Sequence, residues 1–407
     1  LLWVAVPFIL GLFAGRVGEF ASTAWLLGGA LLAAGAAVAF AYRQAPRGWA
    51  PAIVVAMFCA GSAAYVQHRA RLPEWEQLPA REARLTLRVE RVFSPADPRK
   101  SSGLARVVGV DDPLHELVGQ RLYFSLALGQ SEHPPIRSAE IAAMGVLITL
   151  PRNPPMDTFD GYLTGAGINF RLTRGRVLAT EQPAHGYYRF CARAAERCHA
   201  ILGQGIAAKR PALAGLLRAM MLGATHELSD EQHTLFMQSG TMHLFAISGL
   251  NIGVIAGALA ALLPLLRLPA WARLVMGALL LWLFVDITGA APSAVRAFIM
   301  AVFLQVALVL ERPANVLAAL VASALAVLLV SPLQVFSASF LMSYGIVTAL
   351  LVLGLPLGDA WLQQWSPWRH LPKPTWNRWQ RGIDWAWRLT AAAVAIGVAT
   401  TLVSLLT

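Results

Sequence analysis

Charged side chains are scarce in this sequence. They make up 14% of the 407 residues, while 57% of the residues are hydrophobic. A soluble domain of ordinary composition is about a quarter charged, so this shortage excludes an ordinary soluble protein and predicts an integral membrane protein. The remaining charge is unbalanced, with a formal net charge of +11. Because positive residues collect in loops on the cytoplasmic side of a membrane, we expect most of this excess there.

Cysteine is also rare, and nucleotide-binding and metal-binding motifs are missing. Cys59 lies in an apolar run, and Cys191 and Cys198 stand seven residues apart. On a helix that spacing is roughly 10 Å along the axis, which is too far for a disulfide bridge. The sequence has no Cys-x-x-Cys, no zinc-type spacing and no Gly-x-x-x-x-Gly-Lys-Ser/Thr loop. We therefore predict no disulfide framework, no metal site, no cofactor and no ATP-driven work by this chain alone.

Nine long apolar runs predict a polytopic α-helical membrane protein with nine spans. Each run is near the roughly 20 residues that cross a bilayer. Arg43 and Arg47 follow the second run, which places that loop in the cytoplasm and takes the third span to the outer side. The runs cover residues 1–15, 24–42, 50–66, 243–266, 270–288, 293–310, 314–330, 335–357 and 389–407.

Residues 68–182, between the third and fourth runs, change in character. About five short strands, separated by turn clusters, predict an inserted small β-barrel of OB type. The topology places this barrel outside the cytoplasm. The strand-like runs lie near residues 85–90, 104–110, 120–128, 140–150 and 168–178.

Five aromatic residues of the barrel region have two open interpretations. They could stack on the bases of a single-stranded nucleic acid, or they could pack in the barrel core. The nearly balanced charge of the region is unlike that of a dedicated single-strand binder, which has a basic groove. The five are Tyr123, Phe124, Phe159, Tyr162 and Phe170.

Residues 183–241 are predicted to form connecting helices. The first, from Tyr187 to Lys209, is amphipathic, with basic residues at i, i+4 and i+8. This basic stripe could lie on lipid headgroups, line an entrance or simply face solvent. A capping box at Ser229 predicts a later helix that runs to Gln238. The stripe consists of Arg189, Arg193 and Arg197.

Asp286 and Arg296 are charged residues within apolar runs, on either side of the turn at residues 289–292. In an antiparallel helical hairpin they would lie at similar depth, near the outer face. Opposite charges at membrane depth usually pair. A structural ion pair is one interpretation, and a pair or a free arginine facing a translocating phosphate is the other.

Small and polar residues mark two further helices. Ser339 and Ser343 share one helix face with Tyr344 adjacent, which is typical of interhelical hydrogen bonding. Gly249 begins a glycine series that continues at Gly253 and Gly257, and this spacing predicts close helix packing.

His243 and Ser248 raise the question of catalysis. An intramembrane serine protease of rhomboid type uses a Gly-x-Ser-Gly serine, but here Ala246 replaces the first glycine. The only histidine downstream is His370, in a predicted cytoplasmic loop. A serine nucleophile needs a base within hydrogen-bond reach, so the protease ranks third among the candidate functions. A secondary transporter of a small anionic solute ranks second.

Four sequence blocks, in order, resemble the ComEC competence family. The run His243-Leu-Phe-Ala-Ile-Ser-Gly-Leu-Asn-Ile-Gly253 resembles its His-Leu-x-Ala-Ile-Ser-Gly-Leu-His-Ile-Gly signature. Residues 288–297 are similar to its Gly-x-x-x-Ser-x-x-Arg-Ala element, and residues 339–344 are similar to its Phe-x-Leu-Ser-Phe element. Residues 153–168, from Asn-Pro-Pro to Gly-Ile, resemble a run near the end of the family's extracytoplasmic barrel.

The resemblance implies an inner-membrane channel that passes single-stranded DNA into the bacterial cytoplasm during natural transformation. It implies four parts: N-terminal helices (1–67), the OB-like barrel (68–182), connecting helices (183–241) and a competence-type channel domain (242–407). Implied partners are single-stranded DNA, membrane lipid, an extracytoplasmic DNA receptor and cytoplasmic DNA-handling proteins or a helicase/ATPase. The channel candidates are His243, Ser248, Gly249, Asn251, Asp286, Gly289, Ser293, Arg296, Ser339, Ser343 and Tyr344, with Arg189, Arg193 and Arg197 at the entrance.

Two departures from the family pattern matter. Asn251 stands where the family usually has histidine, which puts a titrating role there in doubt. Many family members carry a metallo-β-lactamase-like nuclease domain with a His-x-His-x-Asp-His cluster, and none of the nine histidines forms one. We therefore assign no enzyme activity to this chain. Because it ends inside an apolar run, we expect the natural protein to continue.

Overall fold

The protein has a β-barrel placed at one end of a group of apolar helices. The computed structural model describes residues 2–18, 22–70, 79–93, 99–110, 115–129, 134–151, 154–155, 158–239, 249–310, 315–365 and 376–406.

Three helices open the chain, and small residues let the first and third approach closely. A side chain on Gly11 would overlap the backbone carbonyl of Phe58, and one on Gly61 would overlap that of Phe8. The hydroxyl of Ser62 donates a hydrogen bond to the Gly11 carbonyl at 2.9 Å, which ties the pair together. The helices are α1 (Leu2–Val17), α2 (Thr23–Tyr42) and α3 (Pro46–Ala70).

The barrel is closed by five strands in the order β1-β2-β3-β5-β4. Only the β3–β5 pairing is parallel, and the other four pairings are antiparallel. Alternate residues of β1 point inward, so Leu85, Leu87 and Val89 are buried in the core. The strands are β1 (Arg81–Val92), β2 (Lys100–Val110), β3 (Arg121–Ala127), β4 (Glu140–Thr149) and β5 (Phe170–Gln182).

Two of the five aromatic candidates are core residues. Phe124 and Phe170 are fully buried in the barrel interior. Tyr123, Phe159 and Tyr162 are not part of that core. Phe159 and Tyr162 lie on the short helix α4 (Phe159–Gly165), which connects β4 to β5 and is capped by the hydroxyl of Thr158.

Three helices connect the barrel to the membrane half. The amphipathic helix ends at Gly203 and not at Lys209, because the backbone becomes extended at Gln204, with ψ of 126°, and left-handed at Gly205, with φ of +75°. The predicted capping box is present: the Ser229 hydroxyl accepts from the Gln232 N–H, and the Gln232 side chain accepts from the Ser229 N–H. The helices are α5 (Gly186–Gly203), α6 (Pro211–Leu222) and α7 (Asp230–Gln238).

The membrane half contains seven helical segments in the described part of the chain. A π-helical turn at Leu350–Gly354 joins α12 to α13, so that Ala338–Trp365 forms one apolar length. The segments are α8 (Gly249–Leu262), α9 (Ala270–Ile287), α10 (Pro292–Val309), α11 (Val316–Val330), α12 (Ala338–Ala349), α13 (Leu355–Trp365) and α14 (Arg378–Leu406).

Six helices in the described ranges are long and apolar enough to cross a membrane. The other three predicted spans coincide with shorter apolar helices, at Leu2–Val17, Asn251–Leu266 and Val316–Val330. The protein is therefore a multi-pass membrane protein, and six of the helices in the described ranges reach the length of a full span.

Close packing at the glycines of α8 was a wrong expectation. No atom of the described residues lies within 4 Å of a Cβ built on Gly253 or Gly257, and Gly249 meets only Ala297 at an ordinary 3.5 Å. The helix instead packs through its other face, where Ile252 and Ala256 contact α9 and α10.

Candidate functional site

A cavity of about 590 Å³ lies between the barrel and the barrel-facing ends of α10, α11 and α12. The barrel contributes Tyr162 and Glu90, and the helices contribute Gln334, Ser337 and Ser339. Arginine is the most frequent charged residue in its wall, and it comes from both parts. The arginines that line the cavity are Arg88, Arg91, Arg121, Arg137 and Arg296.

Arg296 joins α10 to α12 from inside the helical group. Only 2% of the residue is exposed. Its Nη2 atom donates to the Ser339 carbonyl at 2.9 Å, to the Ser339 hydroxyl at 2.7 Å and to the Ser343 hydroxyl at 2.9 Å. Tyr344, the neighbour of Ser343, is buried against Phe340 with ring centroids 4.5 Å apart. The structure thus brings three predicted channel residues together by interhelical hydrogen bonds.

Asp286 is not the partner of Arg296, so the expected ion pair between them is wrong. Its side chain is 1% exposed and accepts from Arg137 Nη1 at 2.6 Å and from the Tyr187 hydroxyl at 2.9 Å. Arg137 comes from the connection between β3 and β4, and its guanidinium also lies 4.8 Å from the ring centre of Tyr188. Arg137 and Tyr187 therefore occupy both carboxylate oxygens of Asp286. The similar depth of Asp286 and Arg296 in the membrane was not enough to predict these partners.

The contact with Asp286 changes the acidity of its neighbours on α5. Burial, together with the hydrogen bond to Asp286, raises the pKa of the Tyr187 phenol far above its ordinary value. Burial also raises the pKa of the nearby Cys191 thiol. Both groups therefore stay protonated at neutral pH, and Tyr187 acts as a hydrogen-bond donor.

Arg91 is the barrel counterpart of Arg296. Its Nη1 atom donates to the Tyr162 hydroxyl at 3.1 Å, and its guanidinium lies 5.0 Å from the ring centre of Phe93. Burial lowers the pKa of this guanidinium, although it remains a cation at neutral pH. By contrast, Arg88 pairs with Glu140 at 2.6 Å and Arg121 pairs with Glu90 at 2.7 Å.

Arg91 and Arg296 share an electrostatic property. Among the described residues, neither has a carboxylate within ion-pair distance, and the Nε atom of each is buried without a hydrogen-bond partner. Buried charge is costly when it is not paired. Two such cations in the wall of one cavity therefore favour an anion between them.

A β-bulge explains why Arg91 faces the cavity. Simple alternation from Leu87 and Val89 would turn Arg91 into the barrel core. The register shifts between Val89 and Arg91, and Val92 rather than Arg91 packs against the core. Bulges re-aim side chains in this way. Sequence alternation could not reveal Arg91. The same holds for Arg137 and Tyr187, whose contacts with Asp286 come from distant segments of the chain.

The remaining predicted channel residues have separate positions. The Asn251 amide donates to the Met220 carbonyl at 3.2 Å, which ties α8 to α6. Gly289 lies in the turn between α9 and α10 with φ of +86°, and Ser293 follows in the first turn of α10. His243 and Ser248 lie outside the described residues.

The basic stripe of α5 lies apart from the cavity. Its three arginines are exposed, and none of them is among the residues that line the cavity. The Nε atom of Arg193 donates weakly, at 3.4 Å, to the Arg189 carbonyl. An entrance role for Arg189, Arg193 and Arg197 remains a prediction.

Comparisons with known proteins agree with the three blocks of the membrane half. Residues 220–407 match the family model described as Competence protein. Over 143 residues the chain is 32% identical to the ComE operon protein 3 of Bacillus subtilis (strain 168), a match that covers 35% of this chain and 18% of that protein. The matched part thus spans less than a fifth of the relative, and no solved structure matches the chain. By the family match and this relative, the chain is similar to competence proteins of ComEC type.

Proposed function

We propose that this chain passes single-stranded DNA across the bacterial cytoplasmic membrane during DNA uptake. The observation that carries the proposal is the placement of Arg91 and Arg296 in one cavity, each without a carboxylate partner among the described residues. One arginine belongs to the barrel and the other to the helices, so an anion that contacts both lies on the boundary between the two parts.

The chemistry of the two arginines suits a phosphodiester backbone. Guanidinium groups bind phosphate through planar, paired hydrogen bonds. The present partners of Arg296 are neutral hydroxyl and carbonyl groups of Ser339 and Ser343, and that of Arg91 is the Tyr162 hydroxyl. Neutral partners compete less with an arriving phosphate than a carboxylate would. Conduction also requires contacts that release the polymer again. Two phosphate sites in succession, at Arg91 and Arg296, allow the DNA to leave one site as it binds the next.

The orientation follows from charge and topology. We propose an OB-type barrel on the extracytoplasmic side, supported by the closed strand order and the parallel β3–β5 pair. The barrel lies at the end of the helices where α9 turns into α10. Arg267 and Arg273 lie at the opposite ends of α8 and α9, as the positive-inside tendency requires. We retain nine spans in this proposal, with α1, α8 and α11 as the short ones.

In this proposal the chain is a passage and not an enzyme. Degradation of the second DNA strand is assigned to another domain or protein. The partners that follow are single-stranded DNA, membrane lipid, an extracytoplasmic DNA receptor and a cytoplasmic helicase/ATPase or other DNA-handling protein. A motor is needed because the sequence offers no phosphate-binding loop of its own.

The same cavity also favours a second function. A volume of about 590 Å³ is within the range of pockets that hold small ligands. Two arginines could equally hold a small anionic solute that is carried across the membrane by a secondary transport cycle. The two functions differ in the size of the substrate, which is a DNA polymer for the passage and a small anion for the transporter.

The test replaces each arginine without changing its size greatly. Arg296→Gln and Arg91→Gln should block entry of labelled DNA into the cytoplasm, while DNA still binds at the cell surface. Arg176→Gln, which removes an exposed arginine of β5 outside the cavity, is the matched control and should transform normally. Normal transformation in both cavity variants, with the protein inserted at the wild-type level, would reject the proposal. Flux of a small anion in vesicles, together with unaltered transformation after gene deletion, would establish the transporter instead.

A further inference from the structure

Four aromatic rings form a continuous cluster on the barrel beside the cavity. Phe93 stacks with Tyr123 at 6.1 Å, and Phe159 stacks with Tyr162 at 6.0 Å. Edge and tilted contacts close the ring of four, with Tyr123 to Phe159 at 5.2 Å and Phe93 to Tyr162 at 6.4 Å. The cluster joins the end of β1, the strand β3 and the helix α4, three elements that are distant in the sequence.

Two arginines frame this cluster. The guanidinium of Arg91 lies 5.0 Å from the ring centre of Phe93, and that of Arg171 lies 5.8 Å from the ring centres of both Tyr123 and Phe159. Arg171 is held by Asp160 at 2.7 Å. Aromatic faces flanked by cations are the surfaces on which proteins bind single-stranded nucleic acids.

Packing accounts for three of the rings but not for the fourth. Phe93, Tyr123 and Tyr162 are partly buried against the small apolar cluster that includes Leu163. Phe159 is 45% exposed and is not part of that cluster. Phe159 thus presents an exposed aromatic surface beside the guanidinium of Arg171, where a base can stack on it.

Tyr162 links the aromatic cluster to the cavity. Its ring belongs to the cluster, while its hydroxyl accepts the hydrogen bond from Arg91 and faces the cavity. A nucleotide has the same division, with an apolar base and an anionic phosphate. A base stacked beside Phe159 would therefore place its phosphate near Arg91.

We propose that Phe93, Tyr123, Phe159 and Tyr162 form a stacking platform for the bases of single-stranded DNA, with Phe159 as the exposed contact. The proposal rests on the proposed function and names the part of the substrate that the barrel recognises. Stacking needs unpaired bases and tolerates any sequence, because every base has a π-face. In barrels of this kind, the connection between the fourth and fifth strands, which here contains α4, also contributes to oligonucleotide binding.

The test compares two probes that differ only in their bases. The purified full chain in detergent is titrated with a short oligothymidylate and with an oligomer of abasic sites that has the same length and charge. We expect the wild type to bind oligothymidylate about fivefold or more tightly than the abasic oligomer, the effect of stacking a single base. Phe159→Ala should abolish that ratio and leave binding of the abasic oligomer unchanged, whereas Phe159→Trp should keep it.

Either of two results would overturn the platform: a wild type that binds both probes equally or fails to bind them, or a Phe159→Ala variant with the wild-type ratio. Thermal unfolding of the variants at the wild-type temperature excludes a folding defect as the cause of lost binding. The proposed passage is judged separately. If the platform fails while Arg296→Gln still blocks DNA entry, the passage stands; if stacking is found and both Arg91→Gln and Arg296→Gln transform normally, the passage fails.

Discussion

Arg137 of the barrel and Asp286 of α9 form an ion pair of 2.6 Å, with the carboxylate almost fully buried. The two residues are 149 positions apart in the sequence. Breaking a buried pair leaves an uncompensated charge, and the partial exposure of Arg137 reduces that cost. This contact is therefore a principal attachment of the barrel to the helices.

Removing the charge of Asp286 should loosen the barrel. We expect Asp286→Asn to lower the free energy of unfolding by about 2 kcal/mol, less than for a fully buried pair because Arg137 is partly exposed. Thermal unfolding in detergent measures the loss, and limited proteolysis should show faster cleavage between the barrel and α9. A double-mutant cycle with Arg137→Gln provides the control. Strictly additive losses in the double variant would contradict a direct interaction.

The Tyr187 hydroxyl should make this attachment sensitive to high pH. Its pKa in the folded protein is raised above the ordinary value of 10.0, so its stabilising contribution is complete below pH 10. That contribution is lost as the pH rises towards the folded pKa, because a phenolate would face the Asp286 carboxylate. We expect the melting temperature of the wild type to fall more steeply above pH 10 than that of Tyr187→Phe. Parallel curves for the two proteins would exclude the effect.

Glu227 should make the contact between α5 and α6 sensitive to acid. Burial alone would raise the pKa of this carboxyl, but the hydrogen bonds from His199 and Arg218 outweigh burial and lower it below the ordinary value of 4.5. Its stabilising contribution is thus present above pH 4.5 and is lost as the pH falls through the folded pKa. Hydrogen exchange in α6 should accelerate over that range in the wild type, while Glu227→Gln should exchange at a rate that changes little with acidification beyond the intrinsic dependence.

The glycine contact between α1 and α3 should be intolerant of any side chain. A Cβ on Gly61 would overlap the backbone carbonyl of Phe8, which cannot move aside as a flexible side chain can. We expect Gly61→Ala to lower the free energy of unfolding by about 1–3 kcal/mol, the usual cost of overpacking. Gly28 of α2 is the matched control, because no described atom lies within 4 Å of a Cβ placed there. Gly28→Ala should be neutral or stabilise by up to about 1 kcal/mol; equal effects of the two substitutions would argue against the close contact.

The sequence predicts local structure well in this protein because the local signals are strong. Long apolar runs locate the helices, alternation locates the strands, and the Ser229 capping box is present as predicted. The hydrogen bonds of Arg296 to Ser339 and Ser343 could also be inferred from the sequence, since all three are polar residues at membrane depth.

Contacts between distant segments were not predictable in the same way. Their positions in the sequence place Asp286 and Arg296 at a similar depth in the membrane. They cannot reveal that Arg137 of the barrel, and not Arg296, pairs with the Asp286 carboxylate. Spacing reveals a glycine stripe on α8, although Ile252 on another face of that helix makes the contacts. The relative orientation of the barrel and the helices depends on side chains from both parts. The residue periodicity of one helix or strand contains no information about that orientation.

The bulge in β1 means that the pairing register after residue 90, rather than the identity of any one residue there, determines that Arg91 faces the cavity. Deleting residue 90 would remove the bulge, yet Arg91 would then follow the inward-facing Val89 directly and would still face outward, opposite Leu104. When related sequences are compared position by position, a one-residue gap at residue 90 should therefore be read as the loss of the bulge and not as the loss of a charge from the passage.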